Sequence, residues 1–61
     1  MKLYEVNTLF KDGEIATTET FNDYSKARKY YDGIGDDTMK RFLIVSKKGS
    51  IIREIESNYN I

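Results

Sequence analysis

The stretch Lys40-Arg41-Phe42-Leu43-Ile44-Val45-Ser46 decides the fold. Its unbroken apolar run, Phe42 to Val45, is too short for a buried helix and rich in β-branching, so the segment reads as a strand. Apolar side chains on both faces place that strand at or near the centre of a sheet. Downstream, Lys47-Lys48-Gly49-Ser50 supplies turn residues, and Ile51 to about Ser57 returns as a second strand, with Asn58 to Ile61 fraying or extending it.

Upstream of the central strand lies a loop of small and acidic residues, Gly33, Gly35, Asp36 and Asp37 among them, running to about Met39. Before it, Asn22 or Asp23 offers a side-chain oxygen to cap a helix that reaches Tyr31 or Asp32. Tyr24, Ala27 and Tyr31 fall within roughly 60° of one another at about 100° per residue, which makes them the buried stripe. Gly33 stands where a left-handed C-cap is wanted. Further upstream, Leu3 to Phe10 alternates with Tyr4, Val6, Thr8 and Phe10 in phase, and Lys11-Asp12-Gly13-Glu14 turns the chain into Ile15 to Phe21. Lys11, Gly13 and Ile15 recur as Lys47, Gly49 and Ile51, an echo that hairpin chemistry alone accounts for.

The 61 residues therefore form one domain, residues 1–61, of the α+β class in the order β-β-α-β-β. A four-stranded antiparallel sheet carries one helix on one face. The expected core is Tyr4, Val6, Phe10, Ile15, Phe21, Tyr24, Ala27, Tyr31, Phe42, Ile44 and Ile55, joined by Ile51 or Ile52 according to the register of the second hairpin. One short helix covers one face, yet the strands carry aliphatics on both. With a two-residue turn, Leu43, Val45 and Ile52 face away from Phe42 and Ile44; with a three-residue turn, Leu43, Val45, Ile51 and Ile55 do. Leu3 and Leu9 add to the surplus in either register. A face of this kind points to association, centred on Leu43 and Val45, with a second copy in a twofold homodimer or with another protein. The competing account has Lys40, Arg41, Arg53 and the chain end lying over these aliphatics.

Composition narrows the chemistry. Ten Lys plus Arg balance ten Asp plus Glu, so the whole-molecule charge favours neither a polyanionic partner nor a membrane surface. With no His and no Cys, histidine and thiol catalysis, thiolate or histidine zinc sites and disulfides are all outside the chain's reach. Gly33-Ile34-Gly35 resembles the opening of a dinucleotide loop, but Thr38 stands in the third glycine's place and the pair follows a helix; it reads as a helix stop. Asp32, Asp36 and Asp37 lack calcium-loop spacing and read as a solvated acidic loop. The expectation is therefore a non-enzymatic protein with no cofactor and no metal.

With no cysteine and no apolar leader or spanning segment in the sequence, a cytoplasmic location is the expectation. Frequent Lys, Asn, Ile and Tyr without Trp, Pro, Cys or His suggests a gene from an AT-rich genome, and tiny single-domain proteins of this kind are common in bacteriophages and other mobile elements. The expected function is stoichiometric protein–protein association, as a regulator or inhibitor. The alternative is a nucleic-acid-binding accessory protein using Lys26, Arg28, Lys29 and Tyr30, the one stretch that interleaves basic and aromatic residues.

Overall fold

The computed structural model describes residues 3–59. Strand β1 (Leu3–Leu9), strand β2 (Ile15–Phe21), helix α1 (Tyr24–Gly33), strand β3 (Met39–Val45) and strand β4 (Ile51–Asn58) follow in the expected order. All pairings are antiparallel and the sheet order is β2-β1-β3-β4, so β3 is central as its double-sided apolar run requires. The expected extension of β4 over Asn60 and Ile61 lies outside the described residues.

The two hairpins share one geometry. Gly13 N–H donates to the Phe10 carbonyl and Phe10 N–H to the Glu14 carbonyl; Gly49 N–H and Ser46 N–H repeat this with the Ser46 and Ser50 carbonyls. Both are three-residue bulged turns, and both glycines sit at positive φ, 92° and 88°, where a side chain would be strained. The recurrence of Lys, Gly and Ile is thus a recurrence of turn type.

Helix α1 begins at Asp23, whose carboxylate accepts the Ser25 backbone N–H. Its other end differs from expectation. Gly33 is the last helical residue and Ile34, in extended backbone, is the C-cap. The terminal carbonyls are satisfied from outside the helix: Lys40, on β3 and 4% exposed, donates its ammonium to the Tyr31 carbonyl at 3.0 Å and the Ile34 carbonyl at 2.8 Å. A cation at the negative end of the helix dipole makes a left-handed glycine unnecessary.

Val6, Ala27, Tyr31 and Phe42 form the buried cluster between helix and sheet, with Tyr4, Phe21, Ile34 and Ile55 packed against it. Phe42 is its hub, stacking on Tyr24 and Tyr31 at centroid distances of 5.5 and 5.6 Å and meeting Tyr4 edge-on. Three expected core members are instead largely exposed: Phe10, Ile15 and Tyr24. A ten-residue helix is about 15 Å long, shorter than the strands beneath it, at about 23 Å. Its C-terminal end stops over Lys40, which pairs with Thr8, so Phe10 lies beyond its reach; Ile15, past the bulge in β2, pairs with Leu9 and turns to the sheet face away from the helix. Tyr24 opens the helix, with its inner ring face on Phe42 and its outer side in solvent.

Strand β4 carries two bulges, where the register slips between Phe42 and Leu43 and between Ile44 and Val45. The first swings Ile55 onto the helix side, against the aromatic cluster. The second leaves neither Ile51 nor Ile52 in the core, in contrast to the expectation that one would join it.

Burial also raises the ionisation of Tyr31 above its ordinary value near 10, with the Glu56 carboxylate adding to the effect. The Tyr31 hydroxyl is buried with no hydrogen-bond partner. An unpaired buried hydroxyl costs about 1–3 kcal/mol, so Tyr31→Phe is expected to stabilise the chain by about 1 kcal/mol in urea unfolding. The raised ionisation favours the folded state fully below pH 10, and that contribution is lost as pH rises through the folded-state value. The native chain should therefore lose stability in alkali more steeply than Tyr31→Phe, which thermal melts from neutral to strongly alkaline pH will show.

Candidate functional site

Three surfaces hold the residues of interest: the sheet face away from the helix, the basic face of the helix, and the outer strands. Since Val6 and Phe42 face the helix, alternation puts Leu3, Glu5, Asn7 and Leu9 of β1, and Met39, Arg41, Leu43 and Val45 of β3, on the far face.

The centre expected for an interface there is closed. Leu43 is 1% exposed and Val45 2%, although no helix lies over them. Leu43 sits between Glu5 and Glu54 in the register, and the surrounding polar side chains are tied to one another. Tyr59 Oη and Ser57 Oγ both donate to the Glu54 carboxylate, and Arg41 Nε donates to Asn7 Oδ1 at 2.7 Å. Asn7, itself fully buried, donates in turn to Thr18 Oγ1. A patch centred on Leu43 and Val45 therefore has almost no accessible area to contribute, and that centre is corrected. The burial of Leu43 and Val45 fits the competing account, in which long side chains such as Arg41 cover the aliphatics. Lys40 points to the other face and caps the helix. Leu3 and Leu9 are half-buried. Ile51 and Ile52, by contrast, are 56% and 54% exposed. They are neighbours in sequence, and neighbours on a regular half-buried strand present one side chain to solvent, not two. The bulge beside them breaks that rule.

The burial of Val45 has a direct consequence. Val45→Lys is expected to lower stability by about 2 kcal/mol or more in urea unfolding, because the ammonium takes a place shielded from water. A variant as stable as the native chain would contradict the packing around Val45.

On the helix, Lys26 and Lys29 are exposed. Arg28 is already engaged: its guanidinium bonds Glu56 at 2.6 Å and Asp32 at 3.3 Å and lies over the rings of Tyr31 and Phe42. The Glu56 hydrogen bond raises the Arg28 ionisation further, so the charge is permanent but spoken for. Tyr30 is partly exposed and packs its ring against Phe21 at 5.4 Å. The four residues of the basic and aromatic stretch thus offer two free cations and one ring already in contact with the sheet. Among the described residues no group of three or more carboxylates is placed to hold a metal ion, and Asp32 is turned toward Arg28.

Reading from sequence missed the role of Lys40. A signal was present: Lys40 lies in phase with Phe42 and Ile44, the side expected to face the helix.

No helix among the described residues is long and apolar enough to cross a membrane. Comparison with protein-family models, curated proteins and solved structures finds no match to this chain.

Proposed function

We propose that this chain is a small non-enzymatic binding protein that acts by stoichiometric association with another protein, as a regulator or inhibitor of it. The observation that carries this reading is the adjacent pair Ile51 and Ile52, both more than half exposed at the root of the second hairpin. Fully burying an isoleucine is worth about 1.5–3 kcal/mol, and a partner that covered both would realise that gain. Half-buried Leu3 pairs with Val45, which pairs with Ile51, and so extends the apolar row across the far face. The composition supports the same reading, since the chain lacks the histidine and cysteine on which much small-site chemistry depends.

The test is affinity capture from extract of the native host, with the native chain beside the Ile51→Lys, Ile52→Lys double variant. A protein retained in stoichiometric amount by the first and lost by a folded second variant is the expected result. Capture of no protein would contradict it. So would micromolar binding to single- or double-stranded nucleic acid that weakens steeply with salt and disappears in the Lys26→Glu, Lys29→Glu variant, because that behaviour marks phosphate contacts.

A further inference from the structure

The two edges of the sheet are unlike. Strand β4 is guarded: two bulges interrupt its register, and Arg53, Glu54 and Glu56 place charge along it. Strand β2 has none of this protection over most of its length. Every residue from Ile15 to Thr20 is exposed, its one irregularity is at the turn-proximal end, and from Thr17 to Phe21 it runs in regular register with β1. It contains no proline and no lysine, and Glu19 is its single charge. A long, regular, nearly uncharged edge presents a row of unpaired backbone donors and acceptors, whose natural complement is another extended strand.

We infer that β2 pairs with β2 of a second copy, antiparallel about a twofold axis at Thr18, to join two sheets into one.

The sequence of the edge is self-complementary in that register. Thr18 meets Thr18 of the second copy, and Thr17 meets its Glu19, so the only charge on the edge faces a hydroxyl. An axis at Glu19 would set two carboxylates against each other. The same twofold carries the Ile15 end of one strand to the Phe21 end of the other. One end bears Phe10 and Ile15, which are 59% and 49% exposed; the other bears half-buried Phe21 with Tyr30 packed on it. Phe10, which the helix cannot reach, thus lies on the same face as the aromatic pair of the second copy, while Ile15, paired with Leu9, lies on the far face. Because the axis stands perpendicular to the sheet, both helices remain on one face. The zero net charge leaves no long-range repulsion between copies. This surface is separate from Ile51 and Ile52, so it stands or falls apart from the reading above.

The test is sedimentation velocity of the native chain across the micromolar range, beside two edge variants. Thr18→Asp keeps an acceptor for the Asn7 amide while placing two carboxylates at the axis. Thr20→Lys sits opposite Glu5 in its own sheet and puts on the edge the residue that natural edges use for protection. The native chain should sediment with twice the mass of one chain at high concentration. Each variant should keep the native circular-dichroism spectrum and bind itself at least about tenfold more weakly. A native chain that remains single at hundreds of micromolar, or a dimer that both variants leave intact, would overturn the pairing.

Discussion

Phe42→Ala is expected to leave most of the chain unfolded at room temperature. Phe42 has no exposed surface, and its ring touches those of Tyr4, Tyr24 and Tyr31, so no other side chain joins as much of the core. Truncating a buried phenylalanine costs about 3–5 kcal/mol, the lost transfer energy plus the cavity left behind. A domain of this size, without disulfide or bound metal, rarely has more than about 3–5 kcal/mol in total. Far-UV circular dichroism in a urea titration reads the result. A folding baseline retained in water, with a loss below about 1 kcal/mol, would show that the helix is held to the sheet by something other than this cluster.

The second large effect is expected at Lys40. Lys40→Met preserves much of the side-chain volume but removes the ammonium that holds the Tyr31 and Ile34 carbonyls and lies 4.4 Å from the centre of the Tyr31 ring. The Tyr31 carbonyl keeps the Ile34 backbone N–H, so the loss falls chiefly on the Ile34 carbonyl and on the dipole end. Hydrogen bonds to a charged group contribute about 1.5–3 kcal/mol, from which relief of the buried charge's desolvation subtracts. A net loss of about 2 kcal/mol, or roughly 10 °C in Tm for so small a domain, is expected. Lys26→Met, on the exposed helix face, should change stability by less than about 0.5 kcal/mol. Equal effects of the two substitutions would contradict the cap.

Much of the architecture can be read in the chain because local signals agree. Asp12-Gly13 and Lys48-Gly49 mark turns that only positive φ can close, Asp23 marks the helix start, and Phe42 to Val45 can serve only as a strand buried on both faces. The features that periodicity misplaces depend on lengths and bulges. Phe10 is in phase with Val6 but lies past the helix end. Ile51 and Ile52 both stay out of the core because of a bulge that no turn residue announces. The far face misled for another reason: alternation tells which side Leu43 and Val45 take but not whether neighbouring polar side chains will close over them. The polar side chains around them are tied together, Arg41 to Asn7 from 34 residues away and Tyr59 to Glu54 within β4 and its end. Of the exposed aliphatics, Ile15, Ile51 and Ile52 lie on the edge strands of the sheet, not at its centre.

Amide hydrogen exchange, followed residue by residue as protein concentration rises from about ten to several hundred micromolar, asks most directly whether this chain works through its strand edges. Amides of β2 between Thr17 and Phe21 should become more slowly exchanging with concentration, while those of Ile51 and Ile52 remain unchanged until a partner protein is added. Exchange along β2 that is independent of concentration, together with no protection at Ile51 and Ile52 in the presence of captured partner, would contradict the proposed use of both edges.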